Sequence, residues 1–308
     1  MSALQHALRD YLALRRALGF TLKRHGRLLP GFVAAVDASE RPVITHALAV
    51  AWATQPPGVT ATWAAARLAM VRAFAAYVHT LDPRTQVPPQ ELLPHSPRRK
   101  PPPYVYSDEE IEALMAATAR LADPFRALTC QTVIGLLAST GMRVGEAIAL
   151  DRTAVDGDDG VITIRKGKFG KSREVPLHPQ TSSGLEHYAE SRDTRFRAPS
   201  SEAFFLSLAG TRLVYNNVHR TFSDLVTQAG LADRGPRRPR IHDLRHTFAI
   251  RTLIDWYRAG RDVEQQLPRL STYLGHVNPT TTYWYLSAVP ELLGVAARRL
   301  EEHLGELP

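Results

Sequence analysis

The stretch His242-Asp243-Leu244-Arg245-His246-Thr247-Phe248-Ala249 is followed by Leu274-Gly275-His276 and, nine residues further on, by Tyr285. In a helix that begins near residue 242, His242 and Arg245 share one face because they are three positions apart. Imidazole and guanidinium groups can hold a phosphate, and a phenol can attack one. The order and spacing of these residues therefore favour phosphoryl transfer with a tyrosine as the attacking group.

Each of these side chains also has an ordinary structural interpretation. His242 can be a core histidine, and His276 can cap the carbonyl groups left free at a helix end. Tyr283 and Tyr285 lie in the last predicted helix, where side chains two positions apart point about 200° apart. The two phenols therefore cannot face one site, and a buried aromatic is the alternative interpretation for either.

Composition bounds the class of protein. The chain has 308 residues, 44% of them apolar and 22% charged, which is typical of globular domains. Its formal net charge is +8 and its sequence pI about 9.8, so a polyanion is the expected partner. Cys130 is the only cysteine, which excludes an intrachain disulfide and a multi-cysteine metal site. We expect a buried, structural thiol there.

The sequence predicts neither a membrane span nor an export signal. No apolar run approaches the roughly 18 residues of a membrane span. The first residues lack the basic-then-apolar pattern of a signal peptide. We therefore expect a soluble, cytoplasmic protein with no membrane partner.

Three parts are predicted along the chain. Residues 1–81 show only helical periodicity, including a helix over 22–36 with a kink or break at Pro30. Residues 82–103 hold eight prolines and are predicted to be an extended interdomain linker. Residues 104–308 form the second domain. Six basic residues are predicted to give the first domain a positive face: Arg16, Lys23, Arg24, Arg27, Arg67 and Arg72.

The second domain is predicted to be mainly helical with a small β-hairpin. A capping box at Ser107 opens its first helix, and 125–138 is apolar enough to be a central helix. Residues 161–165 and 174–177 are predicted to be the hairpin strands, with a basic glycine-rich turn between them. A short strand is also possible at 203–208.

Several basic residues are candidates for phosphate contact. Arg143 follows a glycine turn at a predicted helix start, although it can equally be a surface partner of Glu146. Lys168 lies in the hairpin turn, which is not a nucleotide-binding loop because Arg165 stands where that motif needs its first glycine. The remaining candidates can either be solvated surface residues or contact phosphate. They are Arg98, Arg99, Lys100, Lys171, Arg237, Arg238 and Arg240.

The motifs resemble those of a known family. Taken in order, the residues that match the active-site set of the tyrosine recombinases (the phage integrase family) are Arg143, Lys168, His242, Arg245, His276 and Tyr285. The strings around them are also similar, and the likeness covers about residues 104–290. The helical block 1–81 is similar to the family's core-binding domain. The tail from Tyr283 resembles that of integrases carried by transposon-type mobile elements.

The resemblance implies a reaction and a set of roles. Tyr285 would form a 3′-phosphotyrosyl link to DNA, with Arg143 and Arg245 holding the non-bridging oxygens. Lys168 would be the general acid for the leaving 5′-oxygen, His242 would assist proton movement at the phenol, and His276 would add a phosphate hydrogen bond. Because the bond energy is conserved in the covalent link, neither a metal nor another cofactor is needed.

The family also implies partners and a mode of assembly. The two domains would clamp double-stranded DNA, and four chains would act together as a homotetramer, with accessory DNA-bending or co-encoded proteins not specified. The protein would work in the bacterial cytoplasm, on the nucleoid. An apolar stripe could dock on a neighbouring chain or, as the alternative, pack within its own chain; it consists of Leu292, Leu293, Ala296, Leu300 and Leu304. The alternative functions are a type IB topoisomerase-like relaxing enzyme and a catalytically inactive DNA-binding regulator.

Overall fold

A computed structural model describes residues 1–39, 42–55, 57–93, 102–165, 172–235, 237–275 and 280–288, together with residue 294. Its contacts divide the chain into two compact units, Met1–Lys100 and Pro101–Pro308. No helix among these described residues is both long enough and apolar enough to cross a lipid bilayer.

The first unit is built from helices that pack around one apolar core. These are α1 (Ala3–Ala17), α2 (Lys23–Asp37), α3 (His46–Thr54) and α4 (Ala61–His79). Ser2 caps α1, since its hydroxyl accepts the Gln5 N–H while the Gln5 side chain accepts the Ser2 N–H. Phe32 and Phe74 are fully buried in the core. The helical character predicted for this part of the chain is confirmed.

Two details of the first unit differ from the prediction. α2 runs on through Pro30 instead of breaking there. The proline removes one backbone hydrogen bond, but the neighbouring Leu29 and Phe32 are completely buried and hold the helix in place. Arg67 does not contribute to an exposed positive face, because it is only 7% exposed and stacks on Trp52, 3.7 Å from the ring centroid.

Residues 82–93 of the predicted linker contact the first unit. Arg72 of α4 donates hydrogen bonds to the carbonyl oxygens of Pro88 and Pro89, at 2.7 and 2.8 Å. Proline carbonyls are good acceptors, so a proline-rich chain can be fixed by an arginine without forming regular structure. The stretch 82–93 therefore belongs to the first unit, whereas the sequence assigned all of 82–103 to the linker.

The second unit combines helices with one small sheet. Its elements are α5 (Asp108–Ala117), α6 (Pro124–Thr140), α7 (Val144–Ala149), β1 (Val155–Asp156), β2 (Val161–Ile164), β3 (Arg173–Pro176), α8 (Pro179–Arg195), α9 (Tyr215–Gln228), α10 (Asp243–Arg258), α11 (Val263–Leu274) and α12 (Thr280–Ala288). The capping box predicted at Ser107 is present, because its hydroxyl accepts the Glu110 N–H and the Glu110 carboxylate accepts the Ser107 N–H.

The sheet is antiparallel, with strand order β1-β2-β3. Ile162 pairs with Val175 and Ile164 with Arg173, so the predicted hairpin is confirmed. β1, which adds a third strand, was not predicted because two residues are too short for an alternating pattern. The mainly helical class with a small sheet is likewise confirmed.

The segment 203–208 is not a strand. It makes only isolated bridges, one from Ala203 to Asp151 and one from Leu206 to Arg212. Phe204 and Phe205 are both fully buried, so neighbouring residues point into the core instead of alternating between core and solvent. Apolar content suggested a strand here, but the segment serves to fill the core.

α6 is the central helix of the second unit and packs against α5, α8 and α10. It ends at Gly141, which has a φ of 61°. A side chain there would meet Phe248, whose Cδ1 atom would lie 2.4 Å from an added Cβ. Only glycine therefore lets α6 end at this point, with α10 packed directly against it.

We predict that Gly141→Ala lowers the stability of the protein. The left-handed backbone costs an L-residue about 1–3 kcal/mol and the clash adds to this, so the thermal midpoint should fall by at least about 4 °C. Gly184→Ala in α8 is the matched control, because an added Cβ there meets nothing within 4 Å. It should leave the midpoint unchanged or raise it. Equal midpoints for the two variants would contradict the role given to Gly141.

Candidate active site

Arg245 is a buried arginine held by the ends of two helices. Its side chain is 2% exposed. Its Nη1 donates to the carbonyl of Gly141 at 2.8 Å and its Nη2 to the carbonyl of Leu274 at 2.6 Å. These oxygens stand at the C-terminal ends of α6 and α11, where carbonyls lack partners within the helix. Burial, and next the charge of Arg143, lower the pKa of Arg245 to about 10, so it is still charged at neutral pH.

Arg143 and Arg173 share one carboxylate. Arg143, at the start of α7, donates to Glu146 Oε1 at 2.7 Å and to the carbonyl of Gly275 at 2.8 Å. Arg173 on β3 donates to both oxygens of Glu146, at 3.1 and 2.8 Å. The structure thus contains the Arg143–Glu146 pair that the sequence left as one alternative. The pair joins α7, β3 and the end of α11.

The charge of this cluster is unbalanced. Burial alone would raise the pKa of Glu146, but hydrogen bonds from Arg173 and from the Arg143 backbone, with the two positive charges, outweigh it and hold the pKa at about 2. Glu146 is therefore ionised at neutral pH. Among the described residues, the guanidinium groups of Arg143 and Arg173 pair with Glu146, and the charge of Arg245 lies close enough to interact with it, so positive charge is in excess. Such a cluster suits a phosphate.

Tyr285 lies beside these arginines, in the apolar cluster that α12 forms with α10 and α11. Burial raises its pKa to about 12, although the charges of Arg245 and Arg143 act in the opposite direction. Its side chain is 2% exposed, whereas that of Tyr283 is 45% exposed. The two tyrosines therefore point in different directions, and Tyr285 is the one near the positive charges.

Two histidines connect the start of α10 to the phenol. His242 is at the N-cap position and is exposed, while His246 follows one turn later and is half-buried. The rings of the two histidines are 4.8 Å apart. His246 Nδ1 lies 2.8 Å from Tyr285 Oη. Burial and then the charge of Arg245 lower the pKa of His242.

The arginine-rich loop before α10 is only partly available to a partner. Asp243 is fully buried and accepts hydrogen bonds from the Arg237 side chain and the Arg240 backbone, each at 2.8 Å. Arg238 is exposed and donates to the carbonyl of Ser223 at 2.8 Å. Arg237 therefore anchors α10 from inside, whereas Arg238 and Arg240 remain at the surface.

Several predicted residues lie outside the part of the chain that the structure describes. These are Lys168, His276, Arg98, Arg99, Lys100, Lys171 and the stripe Leu292, Leu293, Ala296, Leu300 and Leu304. The roles given to them from the sequence stay predictions.

Arg173 and His246 were not among the residues selected from the sequence. Arg173 stands two positions before the buried Val175, so strand alternation places both on the inward face of β3. His246 stands four positions after His242, which is the spacing of neighbours on a helix face. Strand alternation and helical spacing thus indicate inward-facing positions for Arg173 and His246, but neither residue belongs to the family motif.

The described residues contain no group of three or more histidine, cysteine or carboxylate side chains arranged to hold a metal. Cys130 is partly buried in the second unit. Burial raises the pKa of its thiol to about 11, so it stays protonated at neutral pH. This state fits the structural thiol expected from the sequence.

Comparison with known proteins identifies the family. Residues 105–291 match the phage integrase family. A protein of Sinorhizobium fredii named as integrase/recombinase y4rB is 44% identical over 310 residues, covering 98% of each chain. Tyrosine recombinase XerC of Chlamydia caviae is 30% identical over 72% of this chain and 66% of XerC. The chain therefore belongs to the phage integrase family, which is that of the tyrosine recombinases.

A solved structure shares the fold. The Tn1549 transposon integrase, solved in complex with transposon right end DNA, aligns with a TM-score of 0.65 over 96% of this chain and 99% of that one. The two sequences are 16% identical over this alignment, so the likeness concerns the fold alone.

We predict that Glu146→Gln destabilises the protein by about 3 kcal/mol at pH 7, the free energy that corresponds to a pKa lowered from 4.5 to about 2. Because the folded-state pKa is depressed, this contribution is fully present above pH 4.5 and is lost as the pH falls towards 2. Urea unfolding of both proteins should therefore show a constant difference from pH 7 to about 5.5 and a shrinking one below about pH 4.5.

The control for this prediction is Glu174→Gln, which removes an exposed carboxylate from the same strand as Arg173. It should change the free energy of unfolding by less than about 0.5 kcal/mol at pH 7. A Glu146→Gln difference that stays constant down to pH 3 would show that the carboxylate charge is not what holds the cluster.

Proposed function

We propose that this protein is a site-specific DNA recombinase that cuts and rejoins strands through a covalent link between Tyr285 and DNA. The observation that carries this proposal is the position of the Tyr285 phenol, which lies beside the charges of Arg245 and Arg143. A phosphate held by these arginines would be close to this phenol. Membership of the tyrosine recombinase family supports the same assignment.

The reaction proceeds by exchange of one phosphate ester for another. The Tyr285 oxygen attacks a backbone phosphorus, a new P–O bond forms to the phenol, and the bond to the 5′-oxygen breaks. Lys168 supplies the proton for the leaving 5′-hydroxyl, and His242 assists removal of the phenol proton. A 5′-hydroxyl of the partner strand then attacks the phosphotyrosine, which releases the phenol and rejoins the DNA. Because the phosphotyrosyl ester conserves the bond energy, no external energy source is needed.

The arginines stabilise the charge that builds on the phosphate oxygens. Among the described residues, Arg143 and Arg245 each donate two of their five N–H groups in the bonds given above. Their carbonyl partners fix both guanidinium groups before DNA arrives. Preorganised donors of this kind typically contribute about 3–4 kcal/mol each to the transition state. We assign His276 an additional hydrogen bond to the phosphate.

The remaining roles concern DNA and assembly. We assign DNA clamping to the helical first unit together with the catalytic second unit, with double-stranded DNA as the partner. Arg238 and Arg240, which are exposed, are the described loop arginines best placed for backbone contact. We propose a homotetramer on DNA, with docking through the C-terminal stripe, acting in mobile-element transposition in the bacterial cytoplasm.

We predict that the protein forms an SDS-stable adduct with nicked DNA through Tyr285. The probe is a pool of duplexes with a randomised segment and a nick, so that the short fragment carrying the released 5′-hydroxyl diffuses away and traps the covalent product. Wild type and Tyr283→Phe should both give an adduct, whereas Tyr285→Phe should give none. Sequencing the captured DNA would identify the target. A Tyr285→Phe adduct, or no adduct from wild type, would refute the proposal.

We also predict that the arginines act on cleavage more than on binding. On the captured target, Arg143→Ala and Arg245→Lys should slow adduct formation at saturating DNA by about 100- to 1,000-fold. Their DNA affinity should change by less than about tenfold, since many other basic residues share the binding. Arg245→Lys is chosen because an ammonium cannot reproduce the planar two-carbonyl contact while it keeps the charge.

The control for the arginine variants is Arg238→Ala, which removes an exposed loop arginine. It should weaken affinity and leave the cleavage rate at saturating DNA unchanged. If Arg143→Ala and Arg245→Lys lost only affinity, the two arginines would be general DNA contacts and would not hold the phosphate that is cut.

A further inference from the structure

The side chain of His246 makes a direct contact with the proposed nucleophile, Tyr285. Its Nδ1 atom lies 2.8 Å from Tyr285 Oη, a distance typical of a good hydrogen bond. The family resemblance assigns roles to His242 and Arg245 on the same helix and leaves His246 without one. The contact joins α10, which carries Arg245, to α12, which carries the phenol.

The orientation of the His246 ring is fixed by aromatic neighbours. The ring of His242 lies 4.8 Å away at 82°, and that of Trp284 lies 5.7 Å away at 63°. The ring of Tyr285 itself is 5.5 Å away, again at 63°. These edge-to-face contacts restrict rotation of the imidazole about its side-chain bonds. Nδ1 is therefore held towards the phenol by packing as well as by the hydrogen bond.

The charge states of the two groups allow His246 Nδ1 to accept the hydrogen bond from the phenol. Burial, and then the charge of His242, lower the pKa of His246 to about 3, with Arg240 and Arg245 acting in the same direction and Asp243 opposing them. The imidazole is therefore neutral at neutral pH, while Tyr285 keeps its proton. A neutral imidazole has one bare nitrogen, which accepts the phenol O–H when the ring proton is on Nε2.

Building on the proposed function of Tyr285, we infer that His246 is the positioning residue of the nucleophile: its Nδ1 accepts the phenol hydrogen bond and fixes the phenolic oxygen for attack on the phosphate. A phenol ring can otherwise rotate its hydroxyl hydrogen freely and can shift within an apolar cluster. Losing the acceptor would leave a buried hydroxyl without this partner and the oxygen less well placed.

Two amide substitutions test whether His246 positions the phenol through a hydrogen bond or only fills space beside it. His246→Asn places a carbonyl oxygen close to the position of Nδ1, whereas His246→Gln carries the same amide one bond further, towards the position of Nε2. His246→Leu fills similar space without an acceptor. The measurement is the single-turnover rate of adduct formation at saturating concentrations of the captured nicked target. DNA affinity and the thermal midpoint are measured for each variant.

We expect His246→Asn to keep the rate within about threefold of wild type, and His246→Gln and His246→Leu to lose about 10- to 100-fold. DNA affinity should be unchanged in all three, because the imidazole is neutral and half-buried. If His246→Leu fails to fold, the comparison of Asn with Gln still decides, since both are polar amides of similar size.

Two results would overturn the inference. Equal losses for Asn, Gln and Leu would mean that an acceptor at Nδ1 is not enough and that His246 itself takes the proton. Wild-type rates for Gln and Leu would mean that the contact has no part in cleavage. Either result would leave the proposed function intact as long as wild type still forms the adduct and Tyr285→Phe does not. Loss of the wild-type adduct would refute the proposed function instead.

Discussion

The second unit is organised around positive charges that are buried before any substrate arrives. Arg245 is almost completely inaccessible, and Arg143 and Arg173 share the carboxylate of Glu146. A buried charge without partners costs several kcal/mol, so the fold has to supply acceptors for these groups. It does so with one carboxylate and with the carbonyl oxygens at the ends of two helices. These acceptors are fixed by the backbone, and they therefore fix the guanidinium groups.

The helix ends depend on glycine. Gly141 and Gly275 both have positive φ values, at 61° and 66°, and end α6 and α11. A side chain at Gly275 would come within 2.8 Å of Arg173 Nη1, so the glycine also makes room for the arginine cluster. Because the carbonyls at these ends point towards Arg143 and Arg245, an error in either helix end would move a guanidinium group. In this unit the packing of the helix ends therefore also determines the positions of the active-site guanidinium groups.

Sequence and structure agree where local chemistry decides and differ where tertiary packing decides. The capping box at Ser107 and the hairpin that pairs Ile162 with Val175 follow from local pattern, and both are present. Arg237 looked like a surface cation, but it pairs with the buried Asp243, which sequence periodicity alone cannot reveal.

The active-site residues show the same division. Spacing on a helix showed that Tyr283 and Tyr285 cannot face one site, and the family resemblance selected Tyr285 from its position nine residues after His276. By contrast, the contact of His246 with Tyr285 depends on how α10 and α12 pack, and the bond from Arg173 to Glu146 depends on how β3 lies against α7. These two contacts come from residues far apart in the chain, so no local motif encodes them.

The state of the phenol places a limit on the chemistry. With a pKa of about 12, only about one Tyr285 in 10⁵ is ionised at pH 7, although two arginines are close by. A bound phosphate would neutralise part of that positive charge and would make ionisation still harder. The phenol therefore enters the reaction with its proton, and this proton has to leave on the way to the new P–O bond. The nucleophile consequently needs its oxygen held in place and a route for its proton, and the imidazole of His246 lies within hydrogen-bond distance of that oxygen.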